Sequence, residues 1–285
     1  MSVDFFRGFK QNNRMPDKSV KSSRTNIFEK LIPVLVVLSI GLAFMVGVLW
    51  QKVSGLEKGV STATTATTTG AQPAQPTADI NAIKGLFSKD VIKFGDANSK
   101  VLFVEIGDPS CPFCHAAAGE DPEVSAQMGA TFKLPSQGGT YDSPVLEMRK
   151  LVDSGKASFA YVYFPGHGNG EMGMKALYCA NEKGKFWAAH DLIMNNAGYN
   201  LMNTTVKNDK TQSGAVADFL KSVVDPGFLK SCLDSGKYDA RLASDQALAA
   251  SLGAQGTPGF FINAKSFPGA YNWTDMKSAV DALLK

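Results

Sequence analysis

Cys111 and Cys114, separated by Pro112 and Phe113 in the run CPFC, are the residues of this chain whose type and spacing best suit chemistry. At that spacing two sulfurs can close a small disulfide ring or supply part of a metal or haem site. Pro112 fits the first turn of a helix, where a missing amide proton costs nothing, so Cys111 falls at or just before a helix N-terminus. The partial positive charge of that terminus favours the anion on the first sulfur. Cys111 is therefore expected to be an exposed attacking thiolate, and Cys114, one turn into the helix, a buried resolving thiol. Phe113 reads either as a residue that tunes the redox poise or as an ordinary exposed contact.

Other chemistries share these residues. With His115 the run becomes CPFCH, the C-x-x-C-H pattern of covalent c-type haem attachment. Haem attachment, however, needs no buried strand ending a few residues earlier. A zinc knuckle needs a second Cys/His pair at suitable spacing, and His167 and His190 stand alone. No metal and no resident cofactor is expected, and structural cysteines remain open. Phe186 and Trp187 fall at helical spacing with Leu192 and Ile193, as a core face does. Glu105, six residues before Cys111, interrupts an apolar run; a carboxylate there is costly unless it has a partner or a job. It can also be read as the solvent-facing end of a strand.

The elements that hold the dithiol follow from periodicity. VIKF (91 to 94) is a short strand candidate, and VLFVEI (101 to 106) is an apolar, β-branched run bounded by turn residues, like a strand buried mid-sheet. The dithiol follows it at once, on a helix that weakens near Gly119. Residues 119 to 142, rich in Gly, Pro, Ser and Asp, read as an irregular insertion before helical spacing resumes over Pro144 to Val152. SFAYVYF (158 to 164) is the next strand. From Met172 to Leu252 the pattern is helical almost throughout, with breaks near Gly198 and at Asp225-Pro226-Gly227. GFFIN, after Gly256-Thr257-Pro258, reads as a strand and WTDMKSAVDALL as a closing amphipathic helix.

The N-terminal part has a different composition. Residues 31 to 50, LIPVLVVLSIGLAFMVGVLW, carry no charge over about the 20 residues a helix needs to cross a bilayer. The preceding 1 to 30 hold a basic excess, which the positive-inside rule keeps in the cytoplasm, so everything after Trp50 is expected outside. A signal peptide would be shorter and end in small residues, unlike Trp50-Gln51-Lys52. Residues 51 to 79, which include STATTATTTGAQPAQPT, read as a flexible tether, leaving 80 to 285 as one globular domain. The formal charge is only +3 and its lysines and arginines are interspersed with acids, which points away from nucleic acid. Four cysteines in 285 residues are too few for a disulfide scaffold.

The order of strand VLFVEI, CPFC, strand SFAYVYF, helical insertion, Gly256-Thr257-Pro258, strand GFFIN and terminal helix resembles the DsbA-like branch of the thioredoxin superfamily. The segments CANEKGKFWAAHDLIM and CLDSGKYDARLASDQALAASLGAQGTPGFFIN are similar to that branch specifically. The resemblance implies an α/β thioredoxin-like fold with a helical insertion, and thiol-disulfide exchange as the activity. Cys111 and Cys114 correspond to the redox pair. Pro258 corresponds to the cis-proline opposite it, with Pro112, Phe113 and Thr257 as the surface that meets a bound peptide. Glu105 corresponds to the buried acid that accepts the Cys114 proton. The resemblance also implies a structural disulfide between Cys179 and Cys232, two buried free cysteines being the alternative. The implied partners are thiol-containing exported proteins and a membrane reoxidant linked to quinone, of the DsbB or vitamin K epoxide reductase type. Oxidation is the implied direction; a reductase or isomerase fed with electrons across the membrane is the other enzyme reading. The insertion at 119 to 142 departs from the family pattern.

Overall fold

A computed structural model describes residues 77–285. The tail, the apolar span 31 to 50 and nearly all of the linker lie outside the described residues. Among those described, no helix is long and apolar enough to cross a membrane. Thr77 pairs with Lys265, Ala78 donates its amide to the Ala264 carbonyl, and Asp79 caps the first helix, so the last three residues assigned to the tether already lie on the domain.

The framework is a five-stranded mixed sheet flanked by helices. Its strands are β1 (Ile92–Phe94), β2 (Val101–Gly107), β3 (Ala157–Tyr163), β4 (Gly259–Ile262) and β5 (Lys265–Pro268), in the order β1-β3-β2-β4-β5. β2 and β3 run parallel, and the other pairs are antiparallel. β2 is buried along its whole length, as a central strand covered on both faces should be. Side chains alternate across a strand. Val101 and Phe103 accordingly pack in one core and Leu102, Val104 and Ile106 in the other. Alternation sends Glu105 to the face of Phe103.

That face is covered by α2 (Pro112–Ala118), α4 (Pro144–Asp153), α11 (Trp273–Leu284) and a helical layer containing α5 (Glu171–Glu182), α6 (Phe186–Ile193), α7 (Asn196–Asn200), α8 (Ser213–Phe219) and α9 (Pro226–Asp234). The opposite face is covered by α1 (Ile80–Leu86) and by the C-terminal half of α10 (Asp239–Ser251). Phe186 and Ile193 are buried in the main core, and Trp187 packs against it, as their spacing suggests.

Two features lie away from the Cys111 and Cys114 pair. Cys179 on α5 is bonded to Cys232 on α9, with Cα atoms 6.2 Å apart, inside the range a disulfide spans. Asp245 on α10 is fully buried, and its Oδ2 accepts from the Tyr178 hydroxyl at 2.6 Å and from the Tyr163 amide at 3.2 Å. Burial pushes Asp245 up to about 6, against the opposing effect of those two hydrogen bonds.

The structure departs from the sequence reading in three places. The stretch 119 to 142 is more ordered than expected: α3 (Pro122–Gln127) opens with Asp121 accepting from the Val124 amide, and two 3₁₀ turns follow. Asp-Pro is a helix start, submerged here in a Gly- and Pro-rich composition. α1 and β5 were not expected, being short and weakly patterned. Strand β3 begins and ends one residue before the expected 158 to 164. The arrangement is a thioredoxin-like α/β fold with a helical insertion.

Candidate active site

Cys111 is the N-cap residue of α2, with Pro112 at its first turn, immediately beyond the C-terminal end of the central strand. Gly119 closes this helix in the left-handed region at φ 80°, and a Cβ there would sit 2.7 Å from Ser143, so the sharp exit requires glycine. The short helix is held from below by Asp108. Its Oδ1 accepts from the amide and hydroxyl of Ser110, and its Oδ2 accepts from the amides of His167 and Gly168. Asp108 thereby ties the strand-to-helix turn to the loop that follows β3. Nothing in the composition of Asp108-Pro-Ser beyond a turn signal marks this role.

Both thiols are free, and they differ sharply. Cys111 is 4% exposed, less open than expected for the first cysteine, and its Sγ lies 3.4 Å from the Thr257 carbonyl oxygen. Its pKa is lowered to about 6. The largest cause is a hydrogen bond from the Cys114 thiol; the Thr257 side chain and the amides of Cys114 and Phe113 add to it, and burial opposes it. The helix terminus, which alone motivated the expected thiolate, contributes through those amides but does not lead. Cys114 is fully buried, and the Asp108 amide points at its Sγ from 3.4 Å. Burial, then the neighbouring Cys111 and the nearby Glu105, push the Cys114 thiol well above its ordinary value.

Glu105 is fully buried, not at a solvent-facing strand end, and neither carboxylate oxygen has a hydrogen-bond partner. Burial pushes it up to about 8. Its register neighbours are Tyr161 on β3 and Phe260 on β4. Tyr161 is also sealed, with an unpartnered hydroxyl. That hydroxyl occupies the space a Cβ on Gly107 would need, 2.3 Å away, so glycine at the end of β2 makes room for it. Sequence patterning could not find Tyr161, because only strand register sets it beside Glu105.

The Thr257-Pro258 bond is cis, and the Pro258 carbonyl accepts from the Gly269 amide at 2.8 Å. The structure thus brings together Cys111, Cys114, Pro112, Phe113, Thr257, Pro258 and, beneath them, Glu105. Cys179 and Cys232 lie in the helical layer and take no part. The c-type haem pattern does not fit this geometry: Cys114 is sealed, and His115 is fully buried with Nε2 3.0 Å from the Pro109 carbonyl and Nδ1 3.5 Å from Asp121. Cys179, Glu182 and Cys232 form a cluster of potential metal ligands, but its two sulfurs are bonded to each other.

A family described as Thioredoxin matches residues 145–282, a stretch that begins after the dithiol and includes Pro258. Among solved structures, alpha-DsbA1 from Wolbachia pipientis is 17% identical, with 68% of this chain and 91% of that chain covered at a TM-score of 0.50. BdbD from Bacillus subtilis, in its oxidised form, is 18% identical over 75% of this chain and 99% of that chain, with a TM-score of 0.47. ScsC from Proteus mirabilis, in a transitional conformation, is 16% identical over 90% of this chain and 97% of that chain, with a TM-score of 0.49. At these identities the likeness is one of fold. No curated protein matches the chain. Fold and site together give a thioredoxin-like fold that carries a free dithiol at the junction of β2 and α2.

Proposed function

We propose that this protein is a membrane-anchored disulfide-forming oxidase of the DsbA type, acting outside the cytoplasm on exported proteins through Cys111 and Cys114. The observation that carries the reading is the opposite setting of two thiols on one turn of helix, one pushed down to about 6 and the other pushed up. A sulfur that holds its negative charge easily stabilises the reduced dithiol, which makes the corresponding disulfide a stronger oxidant.

In the disulfide form, a substrate thiolate attacks the Cys111 sulfur. A mixed disulfide forms, the Cys111–Cys114 bond breaks, and its electron pair goes to Cys114. Glu105, held protonated near neutral pH by a pKa of about 8, supplies the proton that this buried sulfur needs. A second substrate thiolate then attacks the mixed disulfide, forms the substrate disulfide and releases Cys111 as its thiolate. Two electrons leave the substrate and reside in the dithiol. Reoxidation calls for a quinone-linked membrane partner of the DsbB or vitamin K epoxide reductase type. The Thr257 backbone lines the approach to Cys111, where a substrate segment would dock, alongside Pro112, Phe113 and Pro258.

The basic tail and the apolar span 31 to 50 support anchoring with the N-terminus inside. Protease added to spheroplasts should then remove the C-terminal domain and spare the tail. For the activity, Cys111→Ser should abolish oxidation of a reduced model protein, while Cys114→Ser should accumulate mixed disulfides through Cys111. The reduction potential decides direction. A value well above thioredoxin's, which is about −270 mV, supports the oxidase; a value near it supports the reductase reading.

A further inference from the structure

Phe113 is the large hydrophobic side chain most open to solvent among the described residues, 44% exposed, and it sits between the two cysteines. It does not stand alone. Phe132, from the insertion, packs edge-on against it with ring centroids 5.5 Å apart, and Tyr141 packs edge-on against Phe132 at 5.3 Å. The three rings make an aromatic row running from the dithiol into the insertion.

The row is fixed at both ends. The Tyr141 hydroxyl lies 3.3 Å from the carbonyl oxygens of both Ala270 and Tyr271. Asn272 donates from Nδ2 to the Thr140 carbonyl at 2.8 Å, and the Trp273 amide donates to the Asp142 carbonyl at 2.9 Å. On the other side, Ser143 donates to the Ala116 carbonyl, and Asp121 faces His115, both on α2. Ala116, Leu134 and Tyr141 form a small core of their own beneath Phe132. The insertion is therefore a built wall whose ordering cost is met before anything binds, the condition under which exposed apolar surface contributes to affinity.

Between that wall and the turn after β5 lies a pocket of about 640 Å³, bordered by Phe132, Tyr141, Pro268 and Tyr271. It connects to the reactive sulfur by two short routes. One runs from Phe132 through Phe113 to Cys111. The other runs from Gly269 through its hydrogen bond to Pro258 and then Thr257, whose carbonyl is 3.4 Å from Cys111 Sγ. A partner whose cysteine is joined to Cys111 can carry the residue beside that cysteine over either edge, since an extended chain advances about 3.3 Å per residue.

We propose that the insertion at 119 to 142 is a selectivity wall. It favours unfolded polypeptide with an aromatic or large aliphatic side chain beside the reacting cysteine, seated on Phe132 and the pocket behind it. This inference rests on the disulfide-exchange reading above. Its test compares two short peptides that differ only in the residue after their single cysteine, Phe in one and Ser in the other. Mixed-disulfide formation with the oxidised full-length protein is expressed relative to each protein's own rate with glutathione.

The wild-type protein should prefer the Phe peptide by about fivefold, the size of one good aromatic contact. Phe132→Ala should bring the preference below about twofold, and Phe132→Leu should keep most of it. No preference in the wild-type protein, or an unchanged preference in Phe132→Ala, overturns the proposal. An equal loss with both peptides in Phe132→Ala also overturns it, because Phe132 would then serve only to support the dithiol helix. Failure of the wild-type protein to react even with glutathione is a separate result, and it strikes the exchange reading itself.

Discussion

The redox end and the helical layer of this domain hold the same ingredients in opposite states. Each has a pair of cysteines and a fully buried carboxylate next to a buried tyrosine. In the helical layer Cys179 and Cys232 are bonded, and Tyr178 donates a 2.6 Å hydrogen bond to Asp245 of the adjoining α10. At the redox end Cys111 and Cys114 are free, both oxygens of Glu105 lack partners, and so does the Tyr161 hydroxyl. A buried polar group without a partner costs free energy, which folded proteins rarely tolerate without a purpose. On the proposed disulfide-exchange reading, the difference separates groups that hold the fold from groups kept available to move a proton and an electron pair.

The largest effect expected on stability tests the helical layer. Replacing both Cys179 and Cys232 by alanine opens a loop of sequence separation 53, and the chain-entropy relation assigns such a bridge about 4 kcal/mol. Chemical denaturation should show a loss of that order, while the reactivity of Cys111 with glutathione in the folded variant stays the same. A large change in that reactivity would mean the two regions are not separate.

Glu105→Gln should act in the opposite direction, and its effect should depend on pH. In the unfolded chain Glu105 releases its proton near 4.5, but in the folded protein it keeps it until about 8. Its contribution to stability is therefore fully present below pH 4.5 and is lost as pH rises through about 8. Glutamine does not titrate. Relative to the wild-type protein, Glu105→Gln should gain roughly 3 kcal/mol between pH 4 and pH 7 in denaturation experiments. Its disulfide exchange near neutral pH should slow, because Cys114 loses its proton source. A variant whose stability tracks the wild-type protein at every pH would place Glu105 in contact with solvent and break the contrast.

Asp245→Ala provides the counterpart, with a smaller cost. It strands the Tyr178 hydroxyl and the Tyr163 amide, and an unsatisfied buried donor costs about 1–3 kcal/mol. Stability should fall at neutral pH, with the pH profile of Cys111 reactivity unmoved. The smallest change is expected from Cys114→Ala. It removes the thiol hydrogen bond that is the leading cause of the low Cys111 pKa, so the Cys111 inflection should move upward while the fold is kept.

The parts of this molecule that were legible in sequence are those whose signals are local. VLFVEI, CPFC, GFFIN and the closing helix carry their patterns within a few residues, and the structure places them within one residue of the expected bounds. Glu105 could be singled out because an acid in an apolar run is conspicuous. Its neighbour Tyr161 could not, since tyrosine is ordinary in a strand and only the β2–β3 register makes it a neighbour. Asp108 and Phe132 were silent for a similar reason: one acts through amides some sixty residues away, and the other through a ring contact across the end of α2. Composition misled over the insertion, where glycine and proline mark turns between short helices and not a loose loop. The helix terminus lowers the Cys111 pKa less than its position suggests, because the adjacent Cys114 thiol does more than the backbone amides.

The central claim is that two thiols on one helical turn are set apart, with Cys111 ready to carry charge and Cys114 denied it. The most direct test is the rate of alkylation of each cysteine in the reduced protein as a function of pH, read out by peptide mass. Cys111 should react with an inflection near 6 and Cys114 only well above 9. Two cysteines alkylated together, with a shared inflection near 9, would contradict the account.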